Sequence, residues 1–429
     1  MELKRTHFCG DLREENIGQE VILAGWCQTR RDHGGVIFID LRDYTGITQV
    51  VFKKEISESA HNLADTIRGE FVLAARGKVE HRLEGNVNPK LPTGQIEILV
   101  QQLEILNQSQ TPPYVLENRS NVDEKLRLTY RFLDLRDSEL QKNLMLRSKA
   151  LQIVRNYFTS HRFFEIETPI LTKSTPEGAR DYLVPSRVNP GLFFALPQSP
   201  QLFKQLLMIS GYDRYMQLAR CFRDEDLRGN RQPEFTQIDL ELSFTEPEEI
   251  FGLTEGLMAE LFKEIMGLEI GTPFPRLTYQ QAMEDYGSDA PDIRFELKLK
   301  DISDIASECE LRVFNEVVEK GGIVKAICVP GGAEFSRKEL DDLTEFSKIY
   351  GAKGMAWIKR NQDGWQSPIS KFFTDVQKKA LEERVGLNQG DLVLFCADKE
   401  KIVYDTLGNL RKEIARRRGL IDQNEFRFA

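Results

Sequence analysis

The sequence predicts an α+β multidomain chain that opens with a small β-barrel. Three observations carry this. Five β-branched or aromatic runs fill the first part of the chain, with glycine and proline between them. A polar stretch with two adjacent prolines follows. Beyond it, helix-period and strand-like segments alternate to the end.

The strand-like runs lie at residues 21–26, 36–41, 48–52, 71–75 and 96–100, punctuated by Gly34-Gly35, Thr45-Gly46 and Pro92-Thr93-Gly94. A helix-compatible piece at 60–67 sits between the third and fourth. Five strands with a helix after the third is the order of an OB-fold, a barrel that binds oligonucleotides on one face. Residues 1–107 are assigned to it. Residues 108–136 are polar, contain Pro112-Pro113 and read as a hinge. Leu140, Leu144, Leu151, Val154 and Phe158 then recur at helical spacing. That long helix begins a domain over 137–288. It continues with a strand at 163–169, a glycine- and proline-rich stretch at 176–191, a helix at 199–209, a charged hairpin at 221–241 and a helix at 247–266. Residues 289–398 alternate strands (322–329, 354–358, 391–395) with helices (337–350, 374–385), which predicts a compact α+β module. A last helix at 402–418, within 399–429, leads out of it. No internal repeat is found.

With 429 residues, 41% hydrophobic and 29% charged, the chain has room for two to four domains with proper cores. No run of about 18 apolar residues is present, so no membrane span is predicted. The N-terminus lacks an apolar signal core, which predicts a cytoplasmic protein. The six cysteines have no metal-ligand spacing, so they read as reduced and buried, and no metal site is predicted. A net charge of −9 excludes a uniformly basic surface but not a basic groove.

Chemistry concentrates in three places. Arg30-Arg31-Asp32-His33-Gly34-Gly35-Val36-Ile37-Phe38 and Gln49 put two arginines at a strand end, an aromatic on the next strand and an amide on the third. Single-stranded RNA is read with such groups, a stacked base contributing roughly 1–3 kcal/mol. The alternative is that Phe38 is core and the arginines are solvated. The second place is the loop carboxylate Glu177, followed by Ser199, Gln201 and Lys204. Gln201 and Lys204 lie three apart on one helix face and could grip an amino acid at both ends. A lone helical lysine is ordinarily solvated, which is the alternative there. The third is the hairpin, with Arg223 as a cation for phosphate, the carboxylates Asp224, Glu225, Asp239 and Glu241, and the aromatic face of Phe235. Arg228, Arg231 and Gln232 occupy its loop. A salt-bridged surface hairpin is the alternative. No phosphate-binding G-x-x-x-x-G-K-[ST] loop is present.

Residues 221–241 resemble motif 2 of the class II aminoacyl-tRNA synthetases, in the wording of the aspartyl-tRNA synthetase family. Residues 162–169 with the preceding helix resemble motif 1, and the resemblance runs over nearly the whole chain. It implies an antiparallel-sheet catalytic domain in 137–288, a bacterial insertion domain in 289–398 and a homodimer built through motif 1. It also implies a bacterial source, or an organelle of bacterial descent. The implied reaction activates L-aspartate with ATP and Mg2+ and passes it to tRNA(Asp). By the same resemblance Glu177, Ser199, Gln201 and Asp239 hold the α-amino group and Lys204 pairs with the side-chain carboxylate. Arg223, the catalytic residue, bridges substrate carboxylate and α-phosphate. Asp224, Glu225, Gln232 and Phe235 complete the ATP site, Glu225 accepting from the adenine amino group and Phe235 stacking on the base. Arg31, Phe38 and Gln49 meet the anticodon. His33 before Gly34-Gly35, and glycine at 85, match the relaxed kind of enzyme that also charges tRNA(Asn). The two anticodons differ in their third base, C against U, and an imidazole can donate or accept. The bland alternative makes His33 a turn residue. Relaxed charging would hand Asp-tRNA(Asn) to an amidotransferase.

The sequence departs from that family after Asp398. Motif 3, with its second ATP-binding arginine, is not found there. The resemblance places it, the magnesium-binding carboxylates, a histidine that closes on aspartate and a further arginine beyond residue 429. The chain as given is therefore expected to be incomplete for catalysis. A reading of a different class is a non-catalytic tRNA-binding paralogue, or one half of a split synthetase.

Overall fold

The computed structural model describes residues 2–175, 177–227, 229 and 231–429, with the side chain of Glu117 excepted. The chain divides into two compact units, residues 1–152 and 153–429.

In the first unit, β1 (Glu20–His33), β2 (Val36–Arg42), β3 (Ile47–Phe52), β4 (Val72–His81) and β5 (Ile96–Asn107) close a barrel in the order β1-β2-β3-β5-β4. Helix α1 (Glu58–Asp65) lies between β3 and β4, so the OB-fold order is present. Alternation builds it. Ile37, Ile39 and Leu41 are fully buried with Val21, Leu23, Val50, Leu73 and Ile98, while the residues between them face outward. Strand β1 is longer than the sequence suggested because it serves two partners. Glu20–Trp26 pairs with β4 and Trp26–His33 with β2, the latter interrupted by a bulge between Cys27 and Thr29. Gly25 sits at that change of partner, where a β-carbon would lie 2.3 Å from the Arg42 carbonyl oxygen.

The stretch expected to be a plain hinge carries structure. Helices α2 (Glu124–Thr129) and α3 (Arg131–Asp134) follow a 3-10 segment, Leu116–Asn121. Polarity hid them because their anchor is itself polar. The buried Asp134 carboxylate accepts from Arg119 Nε at 2.6 Å and also pairs with Arg131. Burial alone would raise its pKa, but the Arg119 hydrogen bond and the surrounding arginine charges hold it below the usual carboxylate range.

Helix α4 (Ser138–Ser160) leads into the second unit. There β9 (Arg214–Phe222) and β10 (Glu234–Leu242) form an antiparallel hairpin, joined on the β9 side by β6 (Phe164–Glu165), which runs parallel over two residues. The strand predicted at 163–169 shrinks to β6, beyond which Ile166 N–H still donates to the Met216 carbonyl at 3.1 Å. A small hairpin, β7 (Leu183–Pro185) with β8 (Phe193–Ala195), occupies the glycine- and proline-rich stretch, and α5 (Gln201–Ile209) follows it. Val154, Tyr157, Phe158 and Phe163 pack with Met216 and with Leu253 and Leu257 of α6 (Pro247–Met266).

The module after residue 289 has a sheet in the order β11-β12-β15-β13-β14. Its strands are β11 (Leu299–Asp301), β12 (Ile323–Val329), β13 (Ala356–Asn361), β14 (Gly364–Gln366) and β15 (Leu392–Asp398). Its helices are α8 (Ser303–Glu308), α9 (Arg312–Glu319), α10 (Arg337–Lys348), α11 (Asp375–Val385) and α12 (Glu400–Arg417), with α7 (Tyr279–Tyr286) preceding. Two apolar clusters cover the sheet, one with α10 and α12 and one with α8, α9 and α11. The helix expected to lead out of the module is α12, and it packs into the first of these clusters through Val403, Leu407, Leu410 and Ile414.

Arg411 of α12 is fully buried. It donates to the carbonyls of Asp292 (3.0 Å), Phe295 (3.1 Å), Glu296 (2.8 Å) and Leu297 (3.3 Å), with its guanidinium 4.2 Å from the Phe295 ring centroid. Leu297 takes a φ of 58°, unfavourable for a leucine, inside this clasp. Burial draws the guanidinium pKa down to about 10, against the charge of Asp292. Arg411→Met, which keeps the length but orphans the carbonyls, should cost about 3 kcal/mol or more. Thermal or urea unfolding measures it, and a loss below about 1 kcal/mol would show that the clasp is dispensable.

Candidate functional site

The β9–β10 hairpin positions the charged groups. Phe235 pairs in register with Cys221, and Asp239 with Gln217. Arg223 N–H donates to the Pro233 carbonyl at 2.9 Å and closes the hairpin just before its loop. The loop carrying Glu177 is tied to the same place. Asp224 N–H donates to the Arg180 carbonyl at 3.0 Å and Phe222 N–H to Pro197 at 2.9 Å. The buried Gln198 fixes the loop internally, accepting from Ala179 N–H and donating to Ala179 O (3.0 Å each) and to Asp181. Sequence reasoning gave Gln198 no role, because a glutamine that braces a backbone looks like any other.

Glu177 accepts from Ser199 Oγ at 2.6 Å and from Thr175 Oγ1 at 3.0 Å. Two residues after Ser199, α5 begins at Gln201, which is half-buried. One turn on, Lys204 is buried, not solvated. Its Nζ lies 2.9 Å from Asp239 Oδ1 and 3.3 Å from Glu241 Oε2. Burial opposes its charge, but the Asp239 hydrogen bond and the two carboxylates outweigh that and raise its pKa. Burial lifts the Asp239 pKa, helped by Glu241 and opposed by Lys204 and Tyr215. We read Lys204 and Asp239 as an ion pair, since a buried ammonium between two carboxylates keeps its proton. Asp239 Oδ2 is buried with no hydrogen-bond partner.

Arg223 lies over Phe235, guanidinium carbon to ring centroid 5.1 Å, and its Nε is buried without a partner. Glu225 pairs with Arg231 at 3.0 Å on the exposed loop, where Gln232 is also exposed. Arg228 lies outside the described residues. The buried thiol of Cys221 reports how these charges converge. Burial first, then Asp239, push its pKa up to about 11, and Arg223, Glu177 and Lys204 all act on it. One region thus holds an ion-paired lysine, an arginine with a free donor and a carboxylate with a free acceptor. It could seat a molecule with carboxylate, ammonium and phosphate groups. Glu241, named on the hairpin from sequence but given no individual role, belongs to it as well, and so does Tyr215, which the sequence reading did not single out.

On the barrel, Arg31, Phe38 and Gln49 come from three consecutive strands. Arg31 is opposite Phe38, and Gln49 is opposite Asp40. Phe38 alternates with buried Ile37 and Ile39 and faces outward, so it is not core. Arg31 pairs with Asp40 at 2.9 Å. The exposed His33 ring meets Phe38 edge-on, with centroids 5.9 Å apart. Gly85 is exposed at a φ of 90°, where a β-carbon would touch nothing, so its backbone conformation rather than space favours glycine. Arg30 is different. It donates to the Ala64 carbonyl at 3.2 Å and pairs with Asp65, both on α1, so it is engaged in the fold. Cavities lie elsewhere, one of about 910 Å³ in the module beside Phe314 and Trp357. Charged side chains such as Arg312, Arg337 and Lys353 line it together with apolar ones, and it is distant in sequence from every group above.

The family described as tRNA synthetases class II (D, K and N) matches residues 123–428, and the OB-fold nucleic acid binding domain of the tRNA anticodon type matches 21–106. The chain belongs to the class II aminoacyl-tRNA synthetases. It is similar to the aspartate–tRNA(Asp/Asn) ligase of Desulfatibacillum aliphaticivorans, 58% identical over 99% of this chain and 72% of that protein. The ligase of the same name from Desulfosudis oleivorans is 56% identical over 99% of this chain and 71% of its own length. Among solved structures, the asparaginyl-tRNA synthetase of Pyrococcus horikoshii with asparaginyl-adenylate superposes with a TM-score of 0.57 at 19% identity, over 95% of this chain and 96% of that one. That likeness concerns the fold. The hairpin at 221–241 lies within the span of this synthetase that matches the family. Among its described residues, no group of three or more His, Cys, Asp or Glu could hold a metal ion, and no helix is long and apolar enough to cross a membrane.

Proposed function

We propose that this synthetase activates L-aspartate with ATP and transfers it to both tRNA(Asp) and tRNA(Asn), the substrates named for its relatives. The observation that carries the choice of amino acid is the buried Lys204 between Asp239 and Glu241. A substrate side-chain carboxylate accepts from that ammonium in a charge-assisted hydrogen bond, which the neutral asparagine amide oxygen makes more weakly. Glu177, held by Ser199, together with Gln201 and the free oxygen of Asp239, takes the α-amino group.

In the first step an oxygen of the aspartate α-carboxylate attacks the α-phosphorus of ATP. Pyrophosphate leaves, and aspartyl-adenylate forms. Arg223 donates to the substrate carboxylate and an α-phosphate oxygen, stabilising charge that builds in the displacement. Phe235 offers the adenine a ring face, with Arg223 beside it. Glu225 accepts from the adenine amino group, and Asp224 and Gln232 flank the nucleotide. ATP is taken with Mg2+, for which no ligand is assigned here. In the second step the terminal ribose hydroxyl of the tRNA attacks the aspartyl carbonyl and AMP leaves.

Arg31, Phe38 and Gln49 receive the anticodon, and His33, exposed beside Phe38, meets its third base. We place the protein in the cytoplasm as a homodimer. Exposed Phe164, Ile170 and Leu171 (58%, 45% and 54%) supply apolar surface where motif 1 would pair. Asp-tRNA(Asn) would go on to an amidotransferase. The test is charging of separate tRNA(Asp) and tRNA(Asn) by the full-length protein. Both should accept aspartate, and His33→Leu should depress tRNA(Asn) charging selectively. Absence of tRNA(Asn) charging by the unmutated protein would refute the relaxed specificity.

A further inference from the structure

The tip of the β1–β2 hairpin has less strand support than the rest of the barrel. β4 pairs with β1 only as far as Trp26, and β3 reaches β2 only from Ile37 onward. Residues 33–36 thus extend as a two-stranded ribbon, which is marginal by itself. The turn joins His33 to Val36 through Gly34 (φ 63°) and Gly35 (φ 86°), the two-residue loop with both φ positive that fits the twist of paired strands. Glycines permit this turn but also leave it the most conformational freedom. His33 stands at its edge.

Helix α1 supplies what the strands do not. His61, 7% exposed, places its Nε2 2.8 Å from the Gly35 carbonyl oxygen. A carbonyl only accepts, so Nε2 carries the hydrogen. Nδ1 is buried with no partner. One turn further along the helix, at its C-terminal end, Arg30 of β1 donates to the Ala64 carbonyl and pairs with Asp65. One helix therefore grips the ribbon at its turn and at its base. Neither residue is a free polar group on the barrel surface, since His61 is buried and Arg30 is engaged with α1.

We propose that His61, assisted by Arg30, is a positioning residue that fixes the β1–β2 tip, and that it thereby sets how the synthetase ranks tRNA(Asn) against tRNA(Asp). The proposal rests on the reading of His33 given above. With the clamp in place the His33 imidazole has one location relative to the third anticodon base. Without it the glycine turn samples several, and both discrimination and affinity suffer.

The test uses the full-length protein and its His61→Leu, His61→Gln, His33→Leu and His33→Leu/His61→Leu variants, each with tRNA(Asp) and tRNA(Asn) transcripts. His61→Leu should shift the tRNA(Asn):tRNA(Asp) ratio of kcat/KM, and raise KM for tRNA(Asp), by roughly five- to tenfold, the effect of orphaning one carbonyl at a recognition element. Aspartate-dependent ATP–pyrophosphate exchange should stay within about twofold, because α1 is remote in sequence from Lys204 and Arg223. His61→Gln can donate to the same carbonyl and should restore both readouts. The double variant should match His33→Leu in its ratio, since a displaced tip matters only through His33. An unchanged ratio and KM in His61→Leu would overturn the proposal. So would a fall of exchange and charging together that glutamine does not rescue, which would mark His61 as merely structural. Failure of the unmutated protein to charge tRNA(Asn) would instead refute the His33 reading, and His61 would then be judged on the KM for tRNA(Asp).

Discussion

Lys204→Ala should lower aspartate-dependent ATP–pyrophosphate exchange by roughly 10²- to 10³-fold while leaving tRNA binding unchanged. The magnitude follows from removing one partner of a buried charge cluster, which costs about 3–5 kcal/mol. Lys204 is 9% exposed and is the one cation within ion-pair distance of both Asp239 and Glu241 among the described residues. Its loss leaves those carboxylates without their cation, so the side-chain carboxylate of an incoming aspartate would meet them with no ammonium between. Exchange kinetics at saturating ATP give the first number and filter binding of tRNA the second. A decrease below tenfold would mean that the aspartate side chain is held elsewhere.

Arg223→Ala should depress the same exchange by roughly 10²- to 10³-fold, the range for removing a donor aimed at charge that develops in a transition state. Lysine should not rescue it. The guanidinium lies against Phe235 with its Nε unpaired, and a point charge reproduces neither the stacking nor the forked donors. The decrease should appear in kcat more than in KM for aspartate, since the contact to the α-phosphate strengthens as charge accumulates there. An effect confined to KM would make Arg223 a binding group only.

How legible this was differs between the barrel and the site. β-branched and aromatic runs with turn residues between them exposed all five barrel strands, but they left open whether Phe38 was core, which the buried Ile37 and Ile39 on either side of it decide. The helices between 116 and 134 stayed hidden because Asp134 with its arginines, not an apolar stripe, organises them. The helix at 402–418 was visible, but its destination was not: Arg411 is buried by carbonyls that come from residues 292–297, a long-range match that no local pattern shows. In the site, Lys204 and Asp239 could be named from the motifs, yet their ion pair could not, because 35 residues separate them. Arg30 and Arg31 looked equivalent in sequence. Their neighbours on α1 and β2 make the first a brace and leave the second at the outer surface.

The family match covers enzymes for aspartate, lysine and asparagine, and the solved structures that superpose include an asparaginyl enzyme. The amino acid is therefore the point on which the account stands. ATP–pyrophosphate exchange by the full-length protein, run in parallel with aspartate, asparagine and lysine, decides it most directly. Exchange with aspartate alone, abolished by Lys204→Ala, is the predicted result. Comparable exchange with asparagine or lysine, or aspartate exchange that survives loss of Lys204, would contradict it.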